Sequence, residues 1–327
     1  MQGSKDKIYL AKLLFLLLLC FSFAFNQMAC QYKYEGELII PHGSFFDWDR
    51  HIREIGNVLY EPNDIGHEYK TFYSGHNKFT RSSVYIGYAY SSDGRSWTKH
   101  GKICADRSLE DPYVLKVGGI YYLYAEDKEG GQSSIRRYHS VDCVNWSDDG
   151  GTLEKSSGGW DSYVVVSPVV WKEGEIWYML YEGMEHRGNE EDGKIGLATS
   201  FDGINWNKDS SNPVFGGSGV DGKFDKSQVV PDDIIKIDST YYLTYHGNEY
   251  YGYGKDRPFR TGIARSSNLR EWTHDDAPIS NCPTVMLYFN GSNYIAHYYY
   301  DDSSGIYRGY FSEQGLNIRG TMGVKAR

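Results

Sequence analysis

Several large protein classes are excluded by what this sequence lacks. Its five cysteines include no C-x-x-C pair or related spacing, so no zinc site is encoded by motif. Lys and Arg (34) fall short of Asp and Glu (43), a net charge of −9 that argues against a nucleic-acid partner, because phosphate neutralisation needs clustered cations. Only nine prolines in 327 residues, with no compositional repeat, rule out collagen-like or disordered chains. No amphipathic helix of useful length is present. The one long apolar run, Leu13 to Phe25, is too short to span a bilayer comfortably, so no membrane span is expected.

That run follows Lys5, Lys7 and Lys12, the charged segment plus apolar segment of a secretory signal. Residues 1–29 are therefore expected to be a signal peptide cleaved near Ala29, leaving one domain over 30–327. The mature protein is expected to be secreted, periplasmic or at the cell surface. Lipid attachment through Cys30 is the less favoured route, because Gln27 stands where such signals carry an apolar residue. Outside the signal remain Cys30, Cys104, Cys143 and Cys282. One disulfide, Cys104 with Cys143, is weighed equally with buried unpaired thiols.

What the sequence has in excess is aromatic residues and glycine: 30 Tyr, 8 Trp and 37 Gly, in a chain only 40% hydrophobic. Tyr and Trp must therefore do much of the packing. They recur in register. Ser91-Ser92-Asp93-Gly94-Arg95-Ser96-Trp97 returns as Ser140 to Trp146, Ser200 to Trp206 and Ser266 to Trp272, with the Trp residues 49, 60 and 66 apart. Upstream of each lies an aromatic strand (Tyr69–Tyr73, Tyr121–Tyr124, Trp177–Tyr181, Tyr241–Tyr245, and a fifth copy at Tyr294–Tyr298) and before that a further β-rich segment. Asp-Gly after a strand marks a tight turn. Five copies of this unit predict an all-β, five-bladed β-propeller. A β-sandwich would not repeat a turn motif at blade-like periods.

Ser167-Pro168-Val169-Val170, Trp177 to Gly183, Ile195 to Trp206 and Glu110-Asp111-Pro112-Tyr113-Val114 resemble the blade pattern of the five-bladed propeller glycoside hydrolases, the superfamily of families 43, 32, 68, 62, 117 and 130. The resemblance covers roughly residues 45–315 and fixes no single family. It implies a glycosidase acting on a polysaccharide or oligosaccharide through carboxyl groups. Two alternatives stand beside this, a glycoside phosphorylase of the same fold and a non-catalytic carbohydrate-binding propeller. By resemblance, Asp111 before Pro112 is a catalytic acid or the residue that tunes one. Tyr113 occupies the place of an Arg found in family 130, which weakens a phosphorolytic reading. The Glu that families 43 and 32 place two residues before the blade-three proline is absent, since Val166 stands there. A family 117 type uses His as its acid, which makes His246 a candidate.

Antiparallel strands bring the start of each innermost strand and the end of the next to one rim of a central funnel. Glycosidic cleavage needs two carboxyl groups, one to protonate the leaving oxygen and one to activate water or attack carbon. Acids at those two positions give the expected catalytic set of Asp111, Glu54, Glu182 and Asp232, joined by His246. Asp49 competes with Glu54 in blade one. Carboxylates crowded there are expected to raise one another's pKa. Trp48, Glu110, Tyr113, Asp233 and Glu185 are expected to bind substrate, with Trp160 and Tyr251 as further stacking surfaces. Trp97, Trp146, Trp206 and Trp272 are expected to pack blades. Arg53, Arg136 and Arg137 are the near cations that phosphorolysis would require. No cofactor is called for by any motif, and a central ion is left open.

Overall fold

The computed structural model describes residues 37–77, 83–129, 134–186, 193–249, 259–279, 284–289, 294–299 and 305–310. The expected signal segment, Cys30, Tyr251 and Cys282 lie outside them. Twenty strands and no α-helix make up the described residues, and none of them forms a helix long and apolar enough to cross a membrane. β1 (Glu37–Pro41) comes first. Four quartets of consecutive strands follow: β2 (His51–Tyr60), β3 (Tyr69–His76), β4 (Tyr85–Ser91) and β5 (Thr98–Ile103); β6 (Leu109–Val117), β7 (Ile120–Asp127), β8 (Ser134–Ser140) and β9 (Ser147–Leu153); β10 (Val164–Glu173), β11 (Ile176–Met184), β12 (Lys194–Ser200) and β13 (Asn207–Lys208); β14 (Gln228–Ile237), β15 (Thr240–Asn248), β16 (Arg260–Ser266) and β17 (Thr273–His274). β18 (Thr284–Phe289), β19 (Tyr294–Tyr299) and β20 (Gly305–Tyr310) close the described chain.

Each quartet is one antiparallel sheet, a blade drawn from consecutive strands. The last sheet differs: β18, β19 and β20 pair in order and β1, from the opposite end of the chain, adds beside β20. The innermost strands β2, β6, β10, β14 and β18 pack in sequence, and β18 returns to β2. The all-β propeller expected from the repeat is therefore what the chain forms. The sharing of a sheet between the two chain ends was not foreseen, because β1 carries no repeat signature. Its physical basis is the unpaired edge that β20 would otherwise expose.

The Ser-x-Asp repeat is a turn held by its own side chains. Ser91 Oγ accepts the amides of Asp93 and Gly94, while Asp93 Oδ1 accepts those of Arg95 and Ser96 at 2.7 Å. The same bonds recur from Ser140 and Asp142, from Ser200 and Asp202, and from Ser266 and Asn268. The residue after the Asp or Asn has a left-handed backbone in all four copies: Gly94 (φ 68), Cys143 (φ 62), Gly203 (φ 71) and Leu269 (φ 66). Glycine suits that position. Cys143 and Leu269 instead use their side chains to fill the core beneath.

A second repeated device escaped the sequence reading. Trp48 stacks on Tyr73 and Trp160 on Tyr181, with ring centroids 5.8 and 5.7 Å apart, and Phe224 stacks on Tyr245 at 5.9 Å. Each tyrosine hydroxyl donates to the Asp that follows the stacked ring, Asp49, Asp161 or Asp225. Lys99 and Lys208 ion-pair with the first two at 2.6 Å. Space for the stacks exists because the neighbouring strand carries glycine: a Cβ on Gly87, Gly196 or Gly262 would lie 2.4 to 2.6 Å from a ring atom. In the second blade the equivalent places hold Ala125, Asp127, Arg136 and Asp148. There Arg136 pairs with Asp148 at 2.7 Å and with Asp127 at 3.2 Å, so an ion-pair network replaces the stack.

Trp48 and Trp160 are thus packing residues, which corrects their expected role as sugar platforms. Trp97, Trp146, Trp206 and Trp272 pack against the blade cores as expected. The disulfide alternative fails, because Cys104 and Cys143 are both free thiols. They sit in one apolar cluster, and burial pushes the Cys143 thiol up to about 12, so each acts as a small apolar side chain. Gly196→Ala is expected to destabilise the fold by about 1–3 kcal/mol through overpacking against Tyr181 and Trp160, read as a lower urea midpoint with unchanged slope.

Candidate active site

One end of the propeller axis opens into a cavity of ≈ 440 Å³. Its wall is built by strand register. In each complete blade, one residue near the start of the innermost strand lies directly opposite one near the end of the next: Glu54 faces Ser74, Glu110 faces Glu126, Val166 faces Glu182, and Val230 faces His246. Cross-strand partners project to the same face of a sheet. Glu54, Glu110, Glu126, Val166, Glu182, Val230 and His246 all line the cavity, as do Asp111 and Asp232. The five residues expected to be catalytic are therefore brought to one cavity. Val166 brings no acid to the cavity, but its cross-strand partner Glu182 places a carboxyl on the same face.

Glu182 is 3% exposed, and burial pushes its carboxyl up to about 8, with the nearby charge of Asp111 adding to the rise. The main cause is thus loss of water rather than crowding by other carboxylates. Gln228 Nε2 donates to Glu182 Oε1 at 2.7 Å and works against the rise. Gly193 lies over both side chains, where a Cβ would come within 2.3 Å of Gln228 and 2.7 Å of Glu182. On the next blade, His246 Nδ1 contacts Asp232 Oδ1 at 2.6 Å. Burial works against the charged imidazole, but Asp232 more than offsets it and holds His246 above its usual value. Asp111 Oδ2 accepts the Ser167 hydroxyl at 2.6 Å.

Glu110 is buried between Arg53 and Lys128, with which it forms ion pairs, so it shapes the wall and occupies both cations. Oxygens of Glu54, Glu110 and Asp111 lie within 4.8 Å of one another. With Glu110 already matched by two cations, this trio is poorly suited to compete for a further ion. Of Tyr113 and Asp233, both expected to bind substrate, Tyr113 lines the cavity and Asp233 does not; the two meet through a hydrogen bond. The Tyr113 hydroxyl crosses from β6 to donate to Asp233 Oδ1 at 2.7 Å, and Asp233 also accepts the amides of Ile234 and Leu287. Asn57 holds both backbone groups of Val114 in the same way. These side chains tie inner strands to one another across blade boundaries. Burial pushes Asp233 up to about 7, against the pull of the Tyr113 hydroxyl.

Three further expectations are corrected. Glu185 is exposed beyond the end of β11 and does not line the cavity. Asp49 is held by Tyr73 and Lys99, leaving Glu54 as the cavity acid of the first blade. Arg136 and Arg137 are engaged by Asp148 and Asp149 away from the cavity, so Arg53 alone of the expected cations reaches it. Gln228, Ser167, Lys128 and Tyr163 line the cavity without having been singled out. A search confined to acids, His, Arg and aromatics near strand ends passes over a Gln and a Ser in the same places, although both lie beside residues it did select.

No protein-family model and no curated protein matches the sequence. Solved structures do match the fold. A glycosyl hydrolase from Bacteroides ovatus superposes with a TM-score of 0.65 at 17% identity, over 87% of this chain and 93% of that one. A family 117 glycoside hydrolase, Zg3597, from Zobellia galactanivorans gives 0.61 at 14%, over 87% and 93%. A β-1,2-mannobiose phosphorylase from Listeria innocua gives 0.57 at 16%, over 72% and 69%. The chain thus shares its propeller fold with carbohydrate-active enzymes of both hydrolytic and phosphorolytic type.

The Tyr113–Asp233 bond gives a stability test. A tyrosine hydroxyl favours ionised over neutral Asp233, so its removal costs more where the carboxylate is charged. Tyr113→Phe is expected to destabilise by about 1–3 kcal/mol above pH 7 and by less at pH 5, measured by urea unfolding at both values.

Proposed function

We propose that this protein is an exported glycoside hydrolase of the propeller type, acting on O-glycosidic bonds of a polysaccharide or oligosaccharide. The sheet shared by β1 and β18–β20 is read as the fifth blade that closes the ring. The observation that carries the proposal is Glu182, buried and hydrogen-bonded to Gln228 in the wall of the same cavity as Asp111. A carboxyl held up to about 8 by burial is a proton donor at neutral pH, and a second carboxyl is the other requirement of glycosidic cleavage. In this mechanism Glu182 protonates the leaving oxygen, with Gln228 fixing its orientation. Asp111 activates water or attacks the anomeric carbon. Glu54 and the Asp232–His246 pair supply charge around the sugar ring as positive charge develops on it.

The wall also bears on the substrate. Even with Glu182 neutral, Glu54, Glu110, Asp111, Glu126 and Asp232 outnumber Arg53, Lys128 and His246, a balance that suits neutral sugars and disfavours anionic ones. Tyr163, 37% exposed at the cavity, takes over the stacking role expected of Trp48. Phosphorolysis needs cations free to hold phosphate, whereas Arg53 and Lys128 are committed to Glu110.

The test is hydrolysis of a panel of neutral aryl glycosides and polysaccharides with and without phosphate. Glu182→Gln is expected to lower kcat by about 10²-fold or more, and Asp111→Asn is expected to do the same. Turnover by both variants at the wild-type rate would remove these roles. A strict requirement for phosphate favours the phosphorylase reading, and tight glycan binding without turnover favours a binding propeller. The pH dependence has a definite sign. Folded Glu182 keeps its proton up to about pH 8 and the unfolded chain releases it near 4.5, so its contribution makes the fold less stable as pH rises through that window. Activity is expected to fall as pH passes about 8, and Glu182→Gln is expected to melt at a higher temperature than wild type above that pH.

A further inference from the structure

Left-handed backbone is costly for residues other than glycine and persists where the surroundings over-determine it. Among the described residues six carry it. Cys104, Cys143, Asp238 and Leu269 lie in turns, whereas Asp111 (φ 50) and Ser167 (φ 51) lie within innermost strands. Those two are equivalent residues of adjacent blades. Each directly precedes a proline, which ordinarily keeps its predecessor extended, and each sits where the register with the next strand shifts, between Glu110 and Tyr113 in one blade and between Val166 and Val169 in the other. The same strained bulge has been placed twice, side by side, in the cavity wall. Bulges of this kind re-aim a side chain.

The two bulges bring their side chains together. Ser167 Oγ donates to Asp111 Oδ2 at 2.6 Å across the boundary between the second and third blades. On the opposite side the Asp111 amide donates to Ser74 Oγ, in the first blade, at 3.1 Å. Asp111 is therefore gripped from both neighbouring blades, its backbone by Ser74 and its carboxylate by Ser167. Ser167 is 8% exposed, so this bond is shielded from competing water, and a single hydroxyl proton directed at one oxygen leaves the other free to face the cavity.

We propose that Ser167 is a positioning residue: its hydroxyl, carried across the blade boundary by the strained bulge, holds the Asp111 carboxylate in the orientation that meets the substrate. This rests on the reading of Asp111 as a catalytic carboxylate in hydrolysis. Ser167→Gly removes the hydroxyl while relieving the backbone, and Ser167→Ala removes it while retaining the strain. Both are expected to lower kcat by about 10- to 100-fold, as misplacement of a catalytic group does, with KM changed less than about twofold and with the Gly variant melting no lower than wild type. On an Asp111→Ala background, Ser167→Gly is expected to cause no further loss, since coupled residues are non-additive. A Gly variant with wild-type kcat overturns the proposal. So does a further loss on the Asp111→Ala background, which assigns Ser167 to the fold. The underlying reading fails separately, if Asp111→Asn alone retains full turnover.

Discussion

Everything at the cavity depends on antiparallel register. In a sheet the residue opposite a given side chain points to the same face, so the first and second strands of the second, third and fourth blades each deliver a pair of side chains to the cavity. The pairs Glu54 with Ser74, Glu110 with Glu126, Val166 with Glu182 and Val230 with His246 are the same pair repeated around the axis. Chemistry differs from blade to blade while geometry does not. That is why the third blade, with Val166 on its first strand, still presents a carboxyl on the same face, from Glu182 on its second.

Keeping those pairs in place requires the blades to be rigid and locked to one another. The Trp–Tyr–Asp stacks stiffen individual blades, with glycine on the adjoining strand leaving room for the rings. Tyr113, Asp233 and Asn57 tie blades together by bonds between inner strands. The second blade uses Arg136 with Asp127 and Asp148 where its neighbours use an aromatic stack. It is also the blade that supplies Glu110, Asp111 and Glu126 to the cavity, so it carries the densest charge of the four complete blades.

Burial sets the protonation of the acids in and beneath the cavity. Desolvation opposes ionisation of Glu182 and Asp233 alike, yet the two have opposite fates. Asp233 is surrounded by donors and ties strands together. Glu182 has one amide donor and an opening to the cavity, so its proton is available. Burying an acid there costs the fold stability once the carboxyl ionises, and it favours the protonated form near neutral pH.

The repeated Ser-x-Asp turn, the aromatic strands and the alternation of small and large residues are local signals, and from them the sequence alone determined the all-β propeller and the height at which its functional side chains would lie. It also picked out Asp111, Glu54, Glu182, Asp232 and His246, because strand ends in a propeller converge whatever the side chain. Only the tertiary structure decided the rest. That Trp48 packs on Tyr73, that Asp233 ties β14 to β6, that β1 completes the last sheet, and that Ser167 reaches Asp111 are contacts between residues up to 120 positions apart or between opposite ends of the described chain. Such contacts depend on how blades meet, and no period or motif within one blade encodes that meeting.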